Sequence, residues 1–201
     1  MSDESLSRFT GVTLADLARN GAHLTATLAA EAGSFTCTGT VDDGALSGDS
    51  VFTPAPEFVS RMAQMGFTGY DSDKLMPYAF LNVETPWVRS LQSAHITGMN
   101  ADNIIALRVF NVDPAYIQSM AALGYDVRPT ADQLIALKSQ GVDAAEVHEI
   151  RALGYKPTLD ELVQIRIFKI TPDFIHRMQA RGFKDLTIAK LVQIRIFKLA
   201  E

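Results

Sequence analysis

One stretch of eight residues occurs twice in this chain, and the duplication limits the possible folds more than any other feature. The octapeptide Leu-Val-Gln-Ile-Arg-Ile-Phe-Lys occupies residues 162–169 and again residues 191–198. An identical repeat of this length in 201 residues indicates two copies of one structural unit. Units of about this size stack on one another and present extended surfaces, which favours binding over catalysis in a pocket.

The rest of the C-terminal three quarters of the chain shows the same pattern, with two short helices in each unit. Five units of about 29 residues begin at Pro54, Val83, Val112, Val142 and Ile170. The first helix opens at a capping residue in three units, at Asp113, Asp143 and Thr171, and Glu146 predicts a capping box with Asp143. It ends at a glycine followed by an aromatic residue in four units, at Gly66, Gly124, Gly154 and Gly182, with Tyr125 the aromatic residue after the second of these. The second unit has His95 at this corner, where we expect modest strain.

The second helix of each unit also carries its own start signal. Capping boxes are predicted at Thr130 and Thr158, and simple caps at Asp71, Asn100 and Thr187. Ile165 and Ile167 alternate with a polar residue as in a strand, but the caps and the three-residue apolar spacing favour a helix. Helices of about ten residues are marginal alone, so we expect the units to pack on each other.

Residues 1–53 do not fit the repeat. Thr13 opens a short helix that stops at Gly21, and alternating segments at 24–28, 35–41 and 46–52 predict a three-stranded antiparallel meander. An Asp-Gly turn at Asp43 and Gly44 links the last two strands. The predicted fold is therefore mostly α: a five-repeat α-solenoid over 54–201, capped by a small β-meander within 1–53.

Charge is distributed unevenly along the chain. The net charge is −5 overall, but residues 151–201 hold ten basic and five acidic residues, a local excess of +5. This excess is modest, and a pI near 5.4 argues against a nucleic-acid binder. No apolar run is long enough to span a membrane, and the start lacks a secretory signal. We expect a cytoplasmic protein if Met1 is the natural start, and a periplasmic or envelope-associated one if the chain is trimmed from a longer protein.

The sequence contains no arrangement of residues typical of catalysis. Cys37, the only cysteine, lies in an alternating segment and is better explained as a small buried residue than as a reactive thiol. His148 and His176 share a repeat position, but no third ligand accompanies them, so neither a metal nor a cofactor is predicted. The chain is therefore not expected to be an enzyme.

The strongest candidate for recognition is a column of basic residues on the second helices. Arg108, Lys138, Arg166 and Arg195 share one repeat position, which Ala79 takes in the first unit. A solvated face with local salt bridges is the favoured explanation, and a partner-binding stripe is the functional one. If the stripe binds a partner, replacing these arginines by glutamate should abolish binding and leave thermal unfolding nearly unchanged.

Aromatic residues form a second column, at the start of the first helices. Its members are Phe58, Trp87, Tyr116 and Phe174, with Glu146 as the exception. A core role is favoured for this column, with Trp87 partly exposed. Trp87 and His95 are the candidate ligand-binding residues if the chain is a sensor.

Three kinds of segment together resemble a known family. They are residues 48–58, the Ala-Leu-Gly-Tyr corners at 122–125 and 152–155, and Ile-Thr-Pro-Asp-Phe at 170–174. They are similar to the repeat-bearing tails that follow the membrane metallopeptidase domain of bacterial sensors akin to the beta-lactam-sensing antirepressor peptidases, and to related stand-alone repeat proteins. The resemblance implies a regulatory or sensing role at the cell envelope through contact with another protein. The zinc-peptidase motif is absent from residues 1–201, so peptidase activity is not carried over.

The leading functional hypothesis is a protein-interaction repeat module in bacterial regulation or envelope signalling. Its partner would be a protein with an acidic or extended segment that meets the basic column. The alternative is a sensor that binds a small molecule or peptide near the cap and the first repeats. Quenching of the fluorescence of Trp87 by a ligand would favour the sensor.

Overall fold

The computed structural model describes residues 6–124 and 129–199. They contain eleven helices and a four-stranded antiparallel sheet near the N-terminus, so the structure is mixed, and the prediction of a small N-terminal β-sheet followed by helices is confirmed. The chain divides into two compact units, one of Met1–Ser90 with Asn100–Ile105 and the other of Leu91–Met99 with Ala106–Glu201. The boundary predicted at residue 53 lies inside the first unit. Tyr125, the predicted corner aromatic, lies outside the described residues.

The sheet has the order β1-β2-β3-β4 and contains the three predicted strands. The strands span Phe9–Thr10 (β1), His23–Ala30 (β2), Gly33–Asp42 (β3) and Ala45–Pro54 (β4). The sequence did not reveal β1, because two residues carry no alternation. The predicted turn between β3 and β4 is present: Asp43 and Gly44 have φ of 46° and 76°, as a two-residue hairpin loop requires.

The helices are short and nearly uniform in length. The first, α1 (Leu14–Leu17), is capped by Thr13 as predicted but is shorter than the segment that the sequence indicated. The other ten are α2 (Pro56–Gln64), α3 (Ser72–Phe80), α4 (Thr85–Ser93), α5 (Ala101–Val109), α6 (Pro114–Ala121), α7 (Ala131–Ser139), α8 (Ala144–Ala152), α9 (Leu159–Ile167), α10 (Pro172–Ala180) and α11 (Ile188–Ile196). The helix predicted for Ile165 and Ile167 is therefore confirmed.

Side-chain caps begin most of these helices at the predicted residues. A cap oxygen accepts a backbone N–H of the first turn at Asp71, Asn100, Asp113, Thr130, Asp143, Thr158, Thr171 and Thr187. The capping boxes of Thr130 and Thr158 are complete. The box predicted for Asp143 is only half formed: Asp143 accepts the N–H of Glu146, but the Glu146 carboxylate lies 3.4 Å from Arg166 instead of turning back to the cap.

The helix ends share one backbone conformation. Each helix from α2 to α11 is followed by a residue with φ between 50° and 91°: Gly66, Asn82, His95, Asn111, Gly124, Gly141, Gly154, Lys169, Gly182 and Lys198. A left-handed residue at this position lets the following N–H bond the carbonyl five residues earlier, as Ile170 does with Ile165 at 2.8 Å. The two copies of the octapeptide therefore have the same backbone, with φ of 51° at Lys169 and 50° at Lys198.

The first compact unit has its core between the sheet and helices α2 and α3. Phe58 and Tyr78 are fully buried and meet edge to face, with ring centroids 5.8 Å apart. Helix α3 packs on β2, β3 and β4, and its Phe80 ring lies 4.9 Å from that of Phe35. Arg8 donates to the last carbonyls of α3, which have no partner within the helix.

The second compact unit contains α6 to α11. The second helices of its repeats lie side by side. Helix α9 packs against α7 on one side and α11 on the other. Their buried faces repeat the predicted apolar pattern, with Leu134, Leu137, Leu162, Ile165, Leu191 and Ile194. The Tyr116 hydroxyl donates to the Val142 carbonyl at 3.0 Å, linking consecutive repeats of the sequence.

Candidate interaction surface

The basic column lies on the last turns of the second helices. Lys138, Arg166 and Arg195 occupy the same position on α7, α9 and α11, which are neighbours. Arg108 occupies this position on α5. All four cations therefore belong to the second compact unit, and three of them lie in a row on adjacent helices.

Two of these cations cover the aromatic residue of their own repeat. The Lys138 ammonium lies 4.4 Å from the centroid of the Tyr116 ring, and the Arg195 guanidinium carbon lies 3.9 Å from that of Phe174. Both rings are buried, so the cations cover the outer side of core residues. A cation over an aromatic face contributes roughly 0.5–1 kcal/mol at partly exposed sites. The basic and aromatic columns that the sequence treats separately are thus in contact.

Arg166 pairs with the one residue that breaks the aromatic column. Its Nη1 atom lies 3.4 Å from Oε1 of Glu146, which stands where the other repeats have an aromatic ring. Burial raises the pKa of Glu146 above its ordinary value, although the charge of Arg166 opposes this effect. The other carboxylate oxygen, Oε2, is buried and has no hydrogen-bond partner. Arg166 therefore compensates only in part for a carboxylate in a largely buried position.

The arginines of the column also bond the end of the preceding second helix. Arg166 Nε donates to the Gln140 carbonyl at 2.9 Å, and Arg195 Nη2 donates to the Lys169 carbonyl at 3.0 Å. The last carbonyls of a helix lack partners within it and carry a partial negative charge, so a guanidinium there is stabilising. These contacts support the structural explanation of the column. They also indicate that glutamate at these positions would lower the stability, which the sequence alone did not lead us to expect.

Exposed apolar residues that were not among the sequence predictions follow the arginines. Ile167 and Ile196 are each 52% exposed, and Phe197 is 66% exposed. We call residues 166–169 and 195–198 together the Arg-Ile-Phe-Lys surface. The signal was present in the spacing: because Leu162 and Ile165 fix the buried side of α9, Ile167 falls outside it.

The phenylalanine is covered to a different extent in the two copies of this segment. Phe168 is half-buried, whereas Phe197 is exposed. Val109 and Phe110 occupy the same two repeat positions after Arg108 and are also exposed. Apolar exposure at this position is therefore a recurring property of the repeat.

The candidate ligand residues Trp87 and His95 belong to different compact units. Trp87 is half-buried, and its carbonyl accepts a hydrogen bond from the Ser90 hydroxyl at 2.6 Å. His95 is exposed and left-handed, with φ of 58°. Neither residue lines the apolar cavity of the first unit, whose walls lie between Leu6 and Ser50. Their role in ligand binding stays a prediction.

The histidines that share a repeat position are solvated. His148 and His176 are both exposed. Within 6–124 and 129–199, no group of three or more His, Cys, Asp or Glu side chains is placed to hold a metal ion. No helix in the same ranges combines the length and the apolar character needed to cross a bilayer.

Similarity to known proteins does not assign the chain to a family. Comparison with protein-family models, characterised proteins and solved structures finds no significant match. The resemblance to envelope-sensor tails therefore stays an expectation.

Proposed function

We propose that this chain is a non-enzymatic protein-interaction module, built from five stacked helix–turn–helix repeats that form an α-solenoid over 54–201. The recurring caps and left-handed helix ends support one conformation for every repeat. The packing of α7, α9 and α11 and the hydrogen bonds between consecutive repeats support their stacking. Units that cannot bury their apolar faces alone are stable in this arrangement.

The observation that carries the proposal is the exposure of apolar side chains between positively charged ones. Ile196 and Phe197 stand between Arg195 and Lys198, and the same order recurs at residues 166–169. An exposed isoleucine alone needs no explanation, but its recurrence on neighbouring helices beside positive charge suggests a binding surface. The partner of matching chemistry is an acidic segment with apolar residues, either helical or extended.

The intramolecular contacts of the arginines favour this role as well as the stability of the fold. Arg195 is held by Phe174 and by the Lys169 carbonyl, so its orientation is set before a partner arrives. A side chain that is already ordered loses less conformational entropy on binding. A guanidinium has five N–H donors, more than these contacts require. The same residue can therefore stabilise the repeat and bind a carboxylate.

The test uses apolar residues of the surface, because they contribute little to folding. Replacing Ile167 and Ile196 together by aspartate should weaken partner binding at least about tenfold, since it removes apolar contacts and introduces repulsion for an acidic segment. The matched control replaces the exposed residues His148 and His176 by aspartate. Proteins captured from the source cell by the wild type and by the control, but not by the double variant, are identified and measured again in purified form.

Two results would contradict the proposed surface. One is equal affinity of the purified partner for the double variant and the control. The other is an association that does not weaken as salt rises, because charge steering depends on ionic strength. A bacterial envelope pathway is the biological setting that the family resemblance favours, and an envelope peptidase encoded beside this chain would support it.

A further inference from the structure

The first compact unit contains an apolar cavity that the interaction surface does not involve. It measures about 660 Å³ and lies between the sheet and the segment that carries α1. This volume is within the range of sites for small molecules, roughly 300–1,000 Å³. All of its lining residues lie between Leu6 and Ser50.

The floor of the cavity is a row of small side chains across three strands. Ala26 on β2 is paired with Cys37 on β3, and Cys37 is paired with Ser50 on β4, so the three side chains point to the same face. All three line the cavity. Their small size leaves the space that larger strand residues would fill. Cys37, which was predicted to be a small buried residue, is half-buried and lines this space.

Larger apolar side chains form the sides and the cover. Phe9 and Phe35 belong to the next row of the same sheet face, and Leu14 and Leu17 come from α1. Ala26 is buried, Cys37 is half-buried and Ser50 is exposed, so the cavity becomes accessible towards β4. An occupant could therefore enter without unfolding the sheet.

The chemistry of the lining defines the class of occupant. None of the described residues that line the cavity is charged, and the polar side-chain groups are the thiol of Cys37 and the hydroxyl of Ser50. A charged group placed here would lose its hydration without gaining a partner, which disfavours ions and zwitterions. An uncharged, largely apolar molecule gains from burial at roughly 25 cal/mol per Å² of apolar surface removed from water.

We propose that this cavity is a binding site for an uncharged, mainly apolar small molecule, with Cys37 at its floor and Ser50 at its mouth. The site is separate from the Arg-Ile-Phe-Lys surface and does not depend on the proposed interaction function. It also differs from the ligand site predicted at Trp87 and His95, because neither residue lines it.

The first experiment follows the binding of N-phenyl-1-naphthylamine, an uncharged apolar fluorophore, to the full chain. The expected result is a saturable rise in fluorescence with one probe per chain. Ser50→Phe should abolish the saturable rise because the new ring fills the mouth. Val51→Phe is the matched control: Val51 is exposed and adjacent in sequence, but its side chain points to the opposite face of β4, so binding should persist.

The second experiment uses the wild type and the single cysteine of the chain. Cys37 is alkylated with N-ethylmaleimide in the presence and absence of the probe. At a probe concentration ten times its Kd, alkylation should slow about tenfold, because only the unoccupied protein reacts. Unchanged alkylation under saturation, or equal saturable binding by wild type and Ser50→Phe, would refute the site.

Discussion

Glu31 caps Thr85 across 54 residues of sequence. The carboxylate of Glu31, in the turn between β2 and β3, accepts the backbone N–H of Thr85 at 2.8 Å and its hydroxyl at 2.6 Å. Thr85 is buried and is the first residue of α4, where backbone N–H groups lack partners within the helix. Arg61 on α2 adds an ion pair at 2.9 Å. One carboxylate thus joins the hairpin to two helical segments of the first unit.

Removing this charge should destabilise the protein at neutral pH. We expect Glu31→Gln to lower the free energy of unfolding by roughly 1–3 kcal/mol, because it removes the charge that pairs with Arg61 and replaces charge-assisted hydrogen bonds with neutral ones. Burial would raise the pKa of Glu31, but the hydrogen bonds from Thr85 and the charge of Arg61 outweigh it and leave the pKa lowered. The measurement is urea unfolding at about pH 7 and about pH 3.

The lowered pKa of Glu31 determines how the stability difference between wild type and Glu31→Gln changes with pH. Since the pKa of Glu31 is lower in the folded state than in the unfolded state, its contribution is present above the unfolded value of about 4.3 and is lost as the pH falls through the folded value. The difference between wild type and variant should therefore shrink at acid pH. Asp49→Asn, at an exposed position on β4, is the control and should change little. A constant difference at both pH values would contradict the argument.

The sequence predicted the local features of the fold because short-range chemistry determines them. Thr158 caps α9 through a residue three positions away, and Asp43 and Gly44 form a turn from their own backbone preferences. The sequence could not predict the pairing of Glu31 with Thr85, since no local pattern connects residues so far apart. The half-formed box at Asp143 has the same cause, because its expected partner Glu146 turns to Arg166 instead.

Restoring an aromatic residue at Glu146 should stabilise the repeat. With Glu146→Phe, Arg166 can cover a ring as Arg195 covers Phe174, at 3.9 Å. We expect a gain of about 1 kcal/mol at neutral pH, because the ring buries apolar surface and the exchanged ion pair is worth only about 0–1 kcal/mol. Thermal unfolding should show a rise in Tm of about 2–4 °C.

The stability contributed by the Glu146 carboxyl group should depend on pH in the opposite sense to the stability contributed by Glu31. Burial raises the pKa of Glu146, so the wild type is favoured below the unfolded value and loses this advantage as the pH rises through the folded value. The benefit of Glu146→Phe should therefore be larger near neutrality than in acid. Glu149→Phe, at an exposed position on the same helix, is the control and should not raise the Tm. A lower Tm for Glu146→Phe would show that Arg166 needs the carboxylate.

Among the ends of the first helices, the one at His95 should be the easiest to stabilise. It adopts φ of 58° where the other first helices are followed by glycine. The left-handed region costs a residue with a Cβ atom about 1 kcal/mol, so His95→Gly should raise the Tm by about 2–4 °C. The reciprocal control is Gly124→His at φ of 72°, where open space around the position leaves only the backbone cost. Equal Tm values for wild type and His95→Gly would mean that the imidazole makes a compensating contact.

The candidate interaction surface was predictable in part. The basic column is visible in the repeat, but its contacts with Gln140 and Lys169 depend on the packing of one second helix on the next. The cavity above Cys37 depends on strand register, which places three small residues in one row. Neither arrangement can be deduced from spacing along the chain alone.

Arg195 allows the structural role of the column to be separated from its proposed binding role. Arg195→Lys keeps the positive charge but loses the planar group that lies on Phe174 and donates to the Lys169 carbonyl. We therefore expect the free energy of unfolding to fall by about 1 kcal/mol, while binding of an acidic partner keeps its dependence on salt. Urea unfolding and a salt titration of the affinity measure the two effects. Arg177→Lys, at an exposed position on α10, is the control for stability and should behave as the wild type. A variant as stable as the wild type would show that the contact of the Arg195 guanidinium with the Phe174 ring contributes nothing to folding.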